Sequence, residues 1–204
     1  MREKGLDTLW LQEVGDKALI RRRGIASYPS GKLSSRLDSV TMAELRKLRA
    51  VANYQFGGRT GEILFDRTVK IFHSSRTGRM KQLYSRGKLL ATLRPSDGLI
   101  ALSVHGAQRL LRNGQFQSIV TIDSDVAHLI KQGKNVFAKH VKRAGSDIRP
   151  EDEVIVVDES GKLLAVGRAN LSSEEMLQFK RGSAVRVRRG IKPSIILGDE
   201  AIAH

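Results

Sequence analysis

Cysteine is absent from the 204 residues, which removes disulfides, thiol nucleophiles and thiolate zinc sites together. The five histidines, at positions 73, 105, 128, 140 and 204, show neither HxxxH nor HxH spacing. No metal site and no cofactor are therefore expected. No apolar run approaches the ~20 residues that span a bilayer, and the opening residues MREKGLDTLWLQEVGD lack the core of a signal peptide. The expectation is a cytoplasmic protein with no membrane partner. At 204 residues there is room for one large domain or two small ones, but not for a large catalytic barrel with accessory domains. Acidic residues are also short, at 21 against 36 Lys and Arg.

The resulting net charge of +15 and a pI near 10.5 point to a polyanionic partner. Its distribution is uneven. Residues 1–40 carry a net +3, residues 41–116 a net +10 and residues 117–204 a net +2. A uniformly basic, solvated surface would not place two thirds of its excess in the middle segment. With 40% hydrophobic and 28% charged residues, the chain otherwise reads as globular and not as disordered.

Taken in order, residues 1–40 read as an N-terminal arm or linker. It contains a triple arginine at 21–23, either a phosphate clamp or a solvated edge, and the loop-like SYPSGKLSSRLDS. Residues 41–116 predict a small basic α+β domain. Thr41 and Glu44 form a capping box, followed by a helix with Leu45, Leu48, Ala52 and Phe56 on one stripe and Arg46, Lys47 and Arg49 opposite. That basic face suits a nucleic-acid backbone or water equally. GEILFDRTVKIFHSS, RMKQLYSR and KLLATLRPS have β character, with hairpin turns at 76–79 and 86–88, and a closing helix near 105–111. Arg76, Arg79, Lys81, Arg86 and Lys88 at those turns are expected at one end of the sheet, within reach of one phosphate ridge.

Residues 117–192 predict a small closed sheet with short helices, followed by a tail at 193–204. A strand at 118–123 leads to a helix capped by Ser124, with Val126, Leu129 and Ile130 buried. Asn135 to Val141 alternates as a strand, Ser172 and Glu175 form a second capping box, and the final strand places Arg186 and Arg188 on one face. The turn Gly133-Lys134-Asn135 is the expected place of RNA backbone contact. Glycine permits close approach there, and Lys134 and Asn135 supply a charge and amide donors.

The stretches LRAVANYQFG, LLATLRPSDGLIALSVHGAQRLL, GKNVFAKHV, IRPEDEVIVVDESGKLLAVGRANLSSEEMLQFKRG and AVRVRRG occur in that order. On them, from about Leu45 to Gly190, the chain resembles the C-terminal RNA-binding portion of archaeal tRNA-guanine transglycosylase, the archaeosine-pathway enzyme. The resemblance implies a fold of a small α+β domain followed by a PUA-type β pseudo-barrel. It implies an RNA groove between Gly133–Phe137 and Arg186–Arg188; Lys139 and Arg168 complete the expected RNA-binding set. The barrel would take the acceptor stem and 3′ end of tRNA, with the middle domain against the tRNA body.

The full enzymes resembled carry a catalytic barrel with aspartates and a cysteine-rich zinc site, for which this sequence has neither room nor cysteine. Asp97 and Asp123 are explained by a turn and a helix cap, so no catalytic residue is expected. The expected function is non-catalytic binding of structured RNA, chiefly tRNA, with a separately encoded transglycosylase chain as a potential partner. The alternative is an RNA-binding ribosome-assembly factor.

Overall fold

The computed structural model describes residues 37–191 except Gln115. The chain divides into units 1–35 and 36–204, and every described element belongs to the second. The arginines at 21–23 and the apolar tail at 195–197 lie outside the described residues.

Strand β1 (Leu37–Ser39) precedes helix α1 (Met42–Phe56). The Thr41 hydroxyl accepts from the Glu44 N–H at 3.2 Å, and the Glu44 carboxylate accepts from the Thr41 N–H at 2.9 Å. Leu45, Leu48, Ala52 and Phe56 are buried, as their spacing predicts, and the helix stops at Gly57 with φ 77°. A second helix, α2 (Thr60–Leu64), occupies the start of a run expected to be strand. Tertiary contacts override the β propensity there. The Thr60 hydroxyl donates to Ala52 O and Gly57 O, Asn53 Oδ1 accepts from the Gly61 N–H, and a Cβ on Gly61 would stand 2.4 Å from Arg49 O.

Strands β2 (Lys70–His73), β3 (Met80–Ser85), β4 (Lys88–Leu93) and β5 (Ile100–Leu102) form an antiparallel sheet in sequential order with β1. β1 pairs with β2, so this part of the expected linker is an edge strand. The β3–β4 turn is Arg86-Gly87, both at positive φ (49° and 75°), as a two-residue hairpin requires. Helix α3 (Val104–Arg112), capped by the Ser103 hydroxyl, closes the unit.

The second sheet has strand order β7-β11-β10-β9-β6-β8. In chain order it comprises β6 (Ile119–Ile122), a 3-10 turn at Ser124–Val126, α4 (Ala127–Lys131), β7 (Val136–Phe137), a 3-10 turn at Ala138–His140, β8 (Val141–Ala144), β9 (Glu153–Val157), β10 (Leu163–Ala169), α5 (Ser173–Gln178) and β11 (Ser183–Gly190). The single strand expected over Asn135–Val141 is thus broken by a 3-10 turn. That turn carries the chain from one edge strand, β7, to the other, β8, and nearly closes the barrel. Asp123, not Ser124, caps the helical segment, accepting from the Asp125 N–H. The capping box of Ser172 and Glu175 is present as read.

β9 is buried along its whole length because it packs on two sides. Val154 and Val156 fill the barrel, while Ile155 and Val157 join the hydrophobic cluster of the first sheet. An unbroken apolar run such as VIVV suits a strand covered on both faces. The two sheets therefore share a core.

Candidate nucleic-acid interface

The turn after α4 is shaped by its backbone. Gly133 has φ 93°, where a side chain would be strained, and its N–H donates to Ile130 O while the Lys134 N–H donates to Leu129 O. Lys134 is exposed. Asn135 has a structural task instead of a purely donating one: its Oδ1 accepts from the Val187 N–H at 3.0 Å and ties the turn to β11. β7 continues this pairing, with Val136 opposite Val185 and Phe137 opposite Ser183. Lys134, Asn135, Phe137 and Arg186 are thereby brought to one edge of the barrel, with Lys139 exposed on the following turn.

Between this turn and α4 lies a cleft of about 250 Å³ lined by Val126, Leu129, Ile130, Val136, Phe137 and His140, with Lys134 and Asn135 at its walls. Leu129 is 39% exposed and Phe137 50% exposed. The expectation that Leu129 belongs to the buried stripe is thus corrected: Ala127 and Ile130 are the buried residues of α4, and Leu129 faces the cleft. An apolar cleft with a flat aromatic wall and a cationic rim suits a planar apolar group carrying a nearby negative charge. Gly190 seats α4 on β11: a Cβ there would stand 2.1 Å from Lys131 O, so β11 and the end of α4 meet backbone to backbone.

Arg186 and Arg188 lie toward the same side of β11, as read from sequence, since Arg186 is in register with Arg168, Arg168 with Glu153, and Arg188 reaches Glu153. Their surroundings differ: Val187 and Arg189 pair with the consecutive residues Gly167 and Val166, a β-bulge that leaves Arg188 without a partner on β10. Arg186 remains exposed, whereas Arg188 reaches the junction between the sheets. There its Nη1 donates to Glu153 Oε2 at 2.8 Å, its Nη2 donates to Leu102 O at 2.6 Å, and it forms an ion pair with Glu153 Oε1. The Leu102 N–H donates to the same carboxylate at 2.7 Å. Arg168, opposite Arg186 in register, is half-buried and paired with Glu151. Arg168 and Arg188, two of the arginines expected to touch RNA, therefore have protein carboxylates as partners.

The hairpin cations also divide differently from the expectation of one end. Consecutive hairpins turn at alternate ends of a sheet, so the 74–79 turn with Arg76 and Arg79 lies one β3 length from Arg86 and Lys88. That is roughly 20 Å at the rise of an extended strand. Arg76, Arg79, Lys81 and Arg86 are exposed; Lys88 is half-buried.

Asp97 accepts from the Leu99 N–H, which lowers its pKa, with help from the charges of Arg94 and Arg168. Asp123 is lowered by the Asp125 N–H and by Lys142, 3.1 Å away. Each aspartate serves a turn or cap, as read from sequence. Among the described residues no cluster of three or more metal-ligating side chains occurs, and no helix is long and apolar enough to cross a membrane. What sequence reasoning missed is the cleft. Its signal was an apolar residue, Leu129, one step off the helical stripe.

The bulged, nearly closed sheet with its flanking short helices is that of a PUA-domain protein, and the PUA domain model matches residues 118–191. The patch-forming domain C2 of tRNA-guanine transglycosylase matches residues 46–116. The chain thus carries a PUA domain preceded by a C2 domain of the tRNA-guanine transglycosylase type, and it matches the C-terminal portion of such enzymes. It is 37% identical over 185 residues to the tRNA-guanine(15) transglycosylase of Methanobrevibacter smithii, covering 88% of this chain and 28% of the relative. It is 42% identical over 172 residues to that of Thermococcus kodakarensis, covering 81% and 29%. The chain thus spans less than a third of the length of these curated relatives. Among solved structures, a conserved PUA domain protein from Thermoplasma acidophilum has the same fold (TM-score 0.57, 19% identity, 79% of this chain and 97% of that one). So does a hypothetical protein from Pyrococcus horikoshii (TM-score 0.62, 22% identity, 76% and 95%).

Proposed function

We propose that this chain is a non-catalytic tRNA-binding unit of a tRNA-guanine transglycosylase system, recognising the acceptor stem and 3′ end and working with a separately encoded catalytic chain. The observation that carries the reading is the apolar cleft walled by Phe137 and Leu129 and rimmed by Lys134, with Arg186 on the adjoining strand. Its volume and flat wall suit an unpaired terminal base, and its cations suit the adjoining phosphates. Glycine at 133 lets a sugar-phosphate strand approach the main chain. The exposed cations of the first sheet add attraction that does not depend on sequence, since A-form RNA offers protein mainly phosphates, 2′-hydroxyls and shape. The relatives named above support tRNA as the RNA.

The test compares binding to intact tRNA, to tRNA without its single-stranded 3′ end, and to an unrelated hairpin. Arg76→Gln/Arg79→Gln/Lys81→Gln should weaken binding to all three and reduce the logarithmic salt slope by up to about 2–3, at roughly 0.7–0.9 for each phosphate no longer neutralised. Lys134→Gln/Phe137→Ala should instead remove the preference for the intact 3′ end. If both variants act alike, the division of labour fails. Base exchange by the purified chain alone would refute the non-catalytic assignment, and selective co-sedimentation with ribosomal particles would favour a role in ribosome assembly.

A further inference from the structure

Helix α1 has a face that nothing among the described residues covers. Opposite its buried stripe, Arg46, Lys47, Ala50 and Tyr54 are all exposed. Tyr54 is 86% exposed, more than any other large hydrophobic side chain among the described residues. Lys47, Ala50 and Tyr54 are successive turns of one face, which puts Tyr54 and Lys47 about 10 Å apart at the rise of an α-helix. Ala50 between them raises no bulk. Arg59, exposed beyond the Gly57-Gly58 stop, extends the positive charge.

The carboxylates of α1 and α2 are engaged by other groups, and of the exposed cations Arg46, Lys47 and Arg59 only Arg59, at the edge of the face, feels the charge of Glu62. Glu44, the helix's own carboxylate, is held in the Thr41 capping box and stands 3.7 Å from His73. Glu62 of α2 accepts from Asn53. A tyrosine ring standing in water among cations, without neighbouring apolar residues to form a patch, lacks the contiguous hydrophobic centre of a protein interface. It has the composition of a stacking platform for a nucleic acid, in which an aromatic face takes a base and flanking cations take phosphates.

We propose that this face is a second RNA subsite, in which Tyr54 stacks on an unpaired base of the bound RNA while Arg46 and Lys47 hold the flanking phosphates. The proposal rests on the RNA-binding reading above and adds to it a site remote in sequence from the barrel cleft. A base within a continuous A-form duplex presents no free face, so the subsite selects a loop or bulge nucleotide.

The test uses the full chain with a stem-loop RNA containing unpaired loop adenines and a fully paired, blunt duplex of equal length. Tyr54→Ala should weaken stem-loop binding about tenfold, the order expected for one lost base stack, and leave duplex binding unchanged. Tyr54→Phe should retain wild-type affinity because the ring remains. Ultraviolet crosslinking of the stem-loop should map to Tyr54. Because Tyr54 is exposed, both variants should keep the wild-type circular dichroism spectrum and melting point. Equal affinity of Tyr54→Ala and wild type for the stem-loop, or equal losses on both RNAs, would overturn the subsite. So would self-association of the wild type that Tyr54→Ala abolishes. A wild-type chain that binds neither these RNAs nor tRNA would remove the RNA-binding reading itself, a different result from a subsite failure with tRNA binding intact.

Discussion

Replacing Arg188 by leucine should destabilise the protein through the carboxylate left behind. Glu153 has a side chain only 1% exposed, and its carboxylate is compensated by the Leu102 N–H and by the two terminal nitrogens of Arg188. Without the guanidinium, a buried charge keeps one backbone donor. Breaking a buried pair from one side costs about 3–5 kcal/mol. Arg188 is itself 40% exposed, so water can reach the vacated space, and the low end, about 3 kcal/mol, is expected. In urea this should lower the unfolding midpoint by about 1–2 M for a chain of this size. Adding Glu153→Gln to Arg188→Leu should recover half or more of the loss. The neutral amide keeps an acceptor for the Leu102 N–H and supplies a donor for Leu102 O. The assay is urea unfolding followed by circular dichroism, with both single variants and the double variant at one pH. A cost below about 1 kcal/mol for Arg188→Leu, or a double variant as unstable as Arg188→Leu alone, would refute the reasoning that a desolvated charge at the sheet junction sets the magnitude.

Gly190→Ala should cost about 1–3 kcal/mol as an overpacking change, because the added Cβ would lie 2.1 Å from Lys131 O and 2.7 Å from Ile130 O, backbone atoms that cannot turn aside. Thermal unfolding measures the cost, and the displaced α4 should also weaken binding of RNA 3′ ends; an unchanged melting point would contradict the close approach. For Asp66, burial acts to raise the carboxyl pKa, but hydrogen bonds from Thr68 and Arg109 outweigh it and hold the group below its ordinary range. A depressed folded-state pKa gives stability that is present above the unfolded value near 3.9 and lost as pH falls through the folded value. Asp66→Asn should therefore be less stable at pH 7, by about 1 kcal/mol for a part-exposed pair, and should lose less stability than wild type below pH 4. Parallel acid-unfolding curves for the two proteins would refute this.

The local elements were legible where the signal was itself local. Both capping boxes depend on two residues three apart, and the α1 stripe on the 3.6 period, so Thr41, Glu44, Ser172, Glu175 and Leu45 to Phe56 were placed correctly without any knowledge of neighbours. Reading failed where a distant contact decided. The segment at 60–64 has β-favouring residues, yet Gly61 packs against the α1 backbone and turns it into helix. Asn135–Val141 alternates like a strand, but closing the barrel requires a 3-10 turn after Phe137. Leu129 looks like core and is cleft wall.

The candidate site shows the same division. The sequence by itself determined that the chain is strongly basic, that the middle segment holds most of the excess charge, and where the two capping boxes start their helices. These conclusions rest on residue type and local spacing. Only the tertiary structure decided which cations are exposed and which are paired. Arg188, at a bulge on β11, goes to Glu153, Glu151 takes Arg168, and the alternation of hairpin ends separates Arg76 and Arg79 from Arg86. The physical reason is that a charge's availability depends on what the fold places within a few ångströms of it, and those partners come from strands that the sequence keeps tens of residues apart.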